Sequence, residues 1–158
     1  MAREEKTNAM RLLDRAGLPY EALFYPSDGQ PRDAGEVALL LGVPAEQVFK
    51  TLVLAGAGGH YVCVIPGPRE LDLKKAAAAF GVKSLRMLHV QEIKPATGYV
   101  RGGCSPIGMK KALPTALDRA ALSLDDILVS AGQIGAQLRL APGDLLQMTQ
   151  ALAADLCR

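Results

Sequence analysis

Aromatic residues are scarce: three Phe, four Tyr and no Trp make up 4% of 158 residues. A protein that reads single-stranded RNA by stacking bases needs an exposed aromatic platform, so this composition argues against that mode. No apolar run approaches the roughly 18–20 residues that a membrane span requires. The amino terminus, Met-Ala-Arg-Glu-Glu-Lys, has no apolar signal core behind it. Cysteine is limited to Cys63, Cys104 and Cys157, an odd number without a C-x-x-C pair. That pattern supports neither a disulfide framework nor a zinc site, and no metal or other cofactor is expected. A reducing, cytoplasmic setting fits these thiols. Repeats, low-complexity tracts and linkers are also missing, so residues 1–158 read as one domain.

What is present is a 49% apolar chain, long enough to bury an Ala/Leu/Val core and too apolar for disorder. The net charge of +2 hides an asymmetry. Ten Lys/Arg against four Asp/Glu fall between Arg69 and Arg119, and the remainder is net acidic. Such a stretch is either an ordinary solvated surface or a face for phosphates, drawn in by counterion release. Charge alone leaves both open.

Local patterns predict a helix over Thr7–Ala16, stopped by Gly17, with Met10, Leu12, Leu13 and Ala16 on its apolar face. A strand over Tyr20–Tyr25 is followed by the turn-rich loop Pro26–Pro31. A helix from about Asp33 to Leu41 ends at Gly42, and Pro44 suits the first turn of another short helical segment. Strands over Val48–Ala55 and His60–Ile65 flank Gly56-Ala-Gly-Gly59. That glycine run lacks the spacing and the following helix of a nucleotide fingerprint and reads as a hairpin turn. Asp72 caps a helix ending at Gly81, with Leu73, Ala76, Ala77 and Phe80 at helical spacing. A strand near Ser84–Met87 and a helix near His89–Lys94 follow. Further strands are expected at Thr115–Leu117, Ile127–Ser130 and Gln137–Leu140, then a closing helix from Pro142 to about Ala153. Short strands mixed irregularly with helices indicate an α+β domain.

The segment Thr97–Lys111 carries three glycines and a proline in Arg101-Gly-Gly-Cys-Ser-Pro-Ile-Gly108, flanked by Arg101, Lys110 and Lys111. Glycine lets a main chain approach a ligand so that successive N–H groups point at one oxygen. Such a loop suits a carbonyl or a phosphate. Lys50 is the most informative single residue, because period-2 alternation puts it beside Leu52 and Leu54 while Phe49, Thr51 and Val53 take the other face. It either snorkels from the strand's end or lines a cavity as a cation for a carbonyl or an anion. Cys104 with His60 or His89 has the residue types of a thiol–imidazole pair, although nothing in the sequence brings them together. Ser105 has no G-x-S-x-G elbow around it. Ser130-Ala-Gly-Gln-Ile-Gly135 is either a connector or a second backbone wall beside the glycine loop. Asp125-Asp126 reads as a strand flank rather than a metal site.

Four collinear motifs carry a resemblance across the chain from about residue 6 to the end. They are Phe49-Lys50-Thr51-Leu52; Leu71-Asp-Leu-Lys-Lys75; Thr97-Gly-Tyr99 with Gly102–Gly108 and Lys110-Lys111; and Val129-Ser-Ala-Gly132 with Gly135. In residues and spacing they resemble the YbaK/EbsC group of trans-editing aminoacyl-tRNA deacylases, and most closely its YbaK branch. The resemblance implies a single domain with a mixed, barrel-like β-sheet flanked by helices. It implies removal of cysteine from mischarged Cys-tRNA(Pro), with Cys-tRNA(Cys) as a further substrate, beside prolyl-tRNA synthetase. Lys50 then matches the family's indispensable lysine, and Gly102, Gly103, Cys104, Ser105 and Pro106 match the loop whose N–H groups hold the aminoacyl carbonyl. Tyr25, Thr51, Gly108 and Ser130 become pocket residues, and Arg101, Lys110 and Lys111 become candidates for the tRNA backbone. In this branch the substrate's own thiol attacks its ester, so no acid–base dyad is required. Deacylation of another small amino acid such as alanine, or a non-catalytic tRNA- or synthetase-binding module, are the alternatives. Three departures stand out. Cys104 replaces an aliphatic residue, Gln137 stands where some members are acidic, and the loop Ser27–Arg32 differs in length and composition.

Overall fold

The computed structural model describes residues 6–158; the charged terminus Met1–Glu5 lies outside the described residues. The helices form where their caps are written. Helix α1 (Asn8–Ala16) starts at Thr7, whose hydroxyl accepts the Met10 N–H at 3.3 Å, and stops at Gly17. Helix α2 (Ala34–Leu41) starts in a capping box: Asp33 accepts the Glu36 N–H at 2.8 Å, and Glu36 accepts back from the Asp33 N–H at 3.4 Å. Asp72 caps α3 (Leu73–Phe80) through the Lys74 and Lys75 N–H groups. Helices α4 (Val90–Thr97) and α5 (Pro142–Thr149) complete the set. The Ala16 expected on the apolar face of α1 is exposed, while Ala9 takes that place in the core.

The strands are β1 (Glu21–Phe24), β2 (Phe49–Gly56), β3 (Gly59–Pro66), β4 (Leu85–Met87), β5 (Thr115–Asp118), β6 (Ile127–Ser130), β7 (Ala136–Leu140) and β8 (Leu152–Ala154). They form two sheets and no closed barrel, which corrects the expected barrel-like sheet. One is three-stranded in the order β1-β7-β6, and the other is five-stranded in the order β4-β2-β3-β5-β8. A single parallel bridge, Val48 to Leu128, ties them together. The predicted closing helix is also too long. It stops at Thr149, Gln150 takes a left-handed φ of 53°, and the chain then runs parallel to β5 as β8.

Residues alternate along β3 so that both faces are buried. Val62 and Val64 join Leu117, Ile127, Val129, Leu138 and α1 in a core between the sheets. Cys63 and Ile65 face Ala76 and Ala77 of α3. A third cluster seats Val37 and Ala38 of α2 on Tyr25, Val48 and Leu128, beside the bridge between the sheets. Strand β2 pairs with β3 along its whole length but with β4 only at Leu54–Gly56. Its first residues are therefore a free edge, and they open towards β6.

Candidate active site

At this edge lies a cleft of about 450 Å³. Lys50 and Thr51 of β2 form one wall, and Ser130 at the end of β6 with Gln137 of β7 forms the other. Tyr25, just beyond β1, is 6% exposed and is held by its N–H donating to the Gly135 carbonyl at 3.0 Å. The start of α2 and Gly102 and Cys104 of the glycine loop also line the space. Lys50 is thus both near a strand end and in a cavity wall. No carboxylate comes within ion-pair distance of it among the described residues, although Asp33 lines the same cleft.

The two glycine-bearing loops lie against each other, as a second backbone wall requires. A Cβ on Gly103 would sit 3.1 Å from the Gln133 Cα and carbonyl carbon and from the Ile134 nitrogen, so only glycine fits there without displacement. Tyr99 bridges the loops. Its hydroxyl donates to the Ile107 carbonyl at 2.6 Å, while its ring edge would be 3.0 Å from a Cβ on Gly132. Burial pushes the Tyr99 phenol up to about 12.

Within the loop the donors differ. The Gly103 N–H is taken by the Val100 carbonyl at 3.0 Å, and Pro106 has none. Ser105 is fully buried, and its Oγ accepts the Ile107 N–H at 3.2 Å. Gly102 and Cys104 are the loop residues that line the cleft, and among the described residues their N–H groups have no internal partner. Of the five loop residues expected to hold the carbonyl, these two combine a place in the cleft wall with an N–H that has no internal partner among the described residues. Gly103, Ser105 and Pro106 shape the loop from behind, and Gly108 packs towards Asn8 and Leu12 of α1 rather than into the cleft. No histidine lines the cleft: His60 lies at the start of β3 and His89 precedes α4. Burial raises the Cys104 thiol to about 11, so it is protonated and weakly nucleophilic at neutral pH.

Arg101 is exposed on the same segment. Lys110 and Lys111 flank a separate groove of about 380 Å³ with His60, Tyr61 and Pro95. One stretch of chain thus serves both depressions. Sequence reasoning did not single out Arg32, and it assigned no role to Gln137. Arg32 reaches the cleft while its guanidinium donates to Glu36 at 3.2 Å. Among the described residues, three buried polar atoms without partners, Arg32 Nε, Thr51 Oγ1 and Gln137 Oε1, all belong to residues of this cleft. Native interiors satisfy such atoms, and an unsatisfied group there calls for a ligand or solvent. Asp125-Asp126 flanks β6, where Asp126 accepts from Gln47 and approaches Arg139 at 3.9 Å. Among the described residues no cluster of His, Cys, Asp or Glu has the make-up of a metal site.

Comparisons with known proteins converge on this architecture. Residues 29–148 match the model of the aminoacyl-tRNA editing domain. An Enterococcus faecalis protein named "Putative Cys-tRNA(Pro)/Cys-tRNA(Cys) deacylase EbsC" is 45% identical over 154 residues, 97% of this chain and 94% of that protein. A proline–tRNA ligase of Cupriavidus necator is 31% identical over 134 residues, which cover 82% of this chain but only 23% of the ligase. Among solved structures, "a putative trans-editing enzyme for prolyl tRNA synthetase" superposes with a TM-score of 0.85 at 30% identity, covering 98% of this chain and 99% of that one. With the match covering most of its length, and with Lys50 and the glycine loop in one cleft, the chain belongs to the aminoacyl-tRNA editing domain family of deacylases.

Proposed function

We propose that this deacylase removes cysteine from mischarged Cys-tRNA(Pro) by letting the substrate's thiol attack its own ester. The observation that carries the reading is one cleft holding an unpaired Lys50 and two free loop N–H groups, with no imidazole in it. The substrate sulfur bonds to the carbonyl carbon, and the carbonyl oxygen takes the negative charge. That oxygen meets the N–H groups of Gly102 and Cys104 and the Lys50 ammonium, which act as an oxyanion hole. Collapse breaks the bond from the carbonyl carbon to the ribose 3′ oxygen. The thiol proton ends on that oxygen, releasing a thiolactone and free tRNA. Holding sulfur and carbonyl in contact geometry supplies an entropic advantage that approaches roughly 7–11 kcal/mol in favourable cases. The protein then needs no nucleophile of its own, in keeping with the protonated Cys104.

The cognate tRNA identity is assigned from the relatives, whose names specify Cys-tRNA(Pro) and Cys-tRNA(Cys) for one and proline–tRNA ligase for another. In this reading the domain works in the cytoplasm beside prolyl-tRNA synthetase. Arg101, Lys110 and Lys111 meet the tRNA backbone, while Tyr25, Thr51 and Ser130 shape the amino-acid pocket.

The test is release of amino acid from matched Cys-tRNA(Pro) and Ala-tRNA(Pro). Cysteine should be released and alanine spared, and Lys50→Ala should slow cysteine release by about 10²–10³, as for loss of an oxyanion-hole donor. Comparable release of alanine would eliminate self-cyclisation, and an unimpaired Lys50→Ala protein would eliminate the site.

A further inference from the structure

Gln137 is a cleft residue that the chemistry above leaves unused. It is only 6% exposed, it lines the cleft from β7, and its Oε1 is buried without a hydrogen-bond partner among the described residues. Its cross-strand neighbour Ser130, whose Oγ accepts the Gly132 N–H at 3.2 Å, makes no hydrogen bond to it. On the facing strand β2, Thr51 Oγ1 is likewise buried and unpartnered. A carboxamide oxygen only accepts hydrogen bonds, so the group that completes it must be a donor.

We infer that Gln137 is a specificity-determining residue that accepts a hydrogen bond from the amino group of the aminoacyl ester. The inference rests on the deacylase reading. The ester carbonyl is an acceptor and is served by Lys50 and the N–H groups of Gly102 and Cys104. Of the remaining groups, the thiol is a weak donor and is consumed in the reaction. The amino group lies one atom from the carbonyl carbon and carries N–H donors in either protonation state. A neutral amide also suits a cleft that contains Lys50. A carboxylate there would attract the ammonium and draw it away from the oxyanion.

Three small probes separate the possibilities: cysteinamide, alaninamide, which keeps the amino group but lacks the thiol, and 3-mercaptopropionamide, which keeps the thiol but lacks the amino group. Each is titrated by NMR into the full chain, as wild type and as Gln137→Met and Gln137→Glu. Wild type should bind the first two more tightly than the third. Gln137→Met should weaken the first two by about tenfold, the usual worth of such a bond, and leave the third unchanged. That unchanged probe reports an intact cleft. Gln137→Glu, which keeps an acceptor, should keep the discrimination. Equal weakening of all three probes by Gln137→Met, loss that follows the thiol, or no binding of cysteinamide to wild type would overturn the assignment. Wild type that discriminates these probes but releases no cysteine from Cys-tRNA(Pro) would remove the deacylase reading and leave the subsite standing. Cysteine release without discrimination would do the reverse.

Discussion

Cys104 shows how a residue that looks like chemistry is disarmed by its surroundings. Burial holds its thiol at about 11, and no histidine lines its cleft. In the proposed reaction the position contributes its N–H, which any residue except proline also carries. Cys104→Ala should therefore deacylate Cys-tRNA(Pro) within about twofold of wild type, since backbone donors survive the change; a loss of 10² or more would restore the thiol as nucleophile. Alkylation by iodoacetamide, read at Cys104 by peptide mass, should keep rising with pH up to about 11 instead of levelling off near the ordinary thiol value of 9. Lys50 was legible in the sequence because an ammonium inside an apolar strand is costly wherever it is not solvated or matched. Gln137 and Arg32 were not. A polar residue near a strand end or in a turn-rich loop is ordinary, and only the tertiary closure of the two sheets leaves their polar atoms buried.

At the scale of elements, helix starts were legible because caps are local: Thr7, Asp33 and Asp72 each bond an N–H within three residues of themselves. Strand partnership was not, since β3 pairs in parallel with β5 some fifty residues on and no local pattern encodes that. Helix α5 was over-extended because Leu-Ala-Ala suits a helix as well as a strand, and its break falls at Gln150 without a Gly or Pro to announce it. The glycine loop makes a sharper test. Gly103→Ala places a methyl against backbone of the 131–135 loop, which must yield by a few tenths of an ångström. We expect deacylation to fall by on the order of tenfold through misplaced donors, with stability reduced by about 1–3 kcal/mol in denaturant titrations. Gly143→Ala in α5 meets nothing within 4 Å and should be neutral or stabilising by about 0.4–1 kcal/mol. Equal effects of the two substitutions would refute the close approach of the loops.

At the scale of the whole molecule, several acids are kept protonated by burial: Cys63 at about 12, Cys104 at about 11 and Tyr99 at about 12. Each ionises more readily in the unfolded chain, so the native state holds more protons at high pH. Their contribution is complete below about pH 9 and is lost as pH rises through 11–12. Denaturant midpoints should therefore fall steadily above pH 9, and a flat profile to pH 11 would contradict the burial account. In the proposed function the basic middle of the chain faces tRNA, an equally global property. Replacing both Lys110 and Lys111 with Ala should weaken tRNA binding and lower the slope of log K against log salt by roughly 1–2. An unchanged slope would place the phosphates elsewhere.

The Tyr99 crosspiece between the two loops has an optical consequence. With no tryptophan in the chain, tyrosine absorbance and emission are undistorted by a brighter neighbour. A phenol seated between Gly132 and the Ile107 carbonyl is in effect a native chromophore of the contact between the two loops. Its ionisation, pushed up to about 12 by burial, reads out the loop contact without any label.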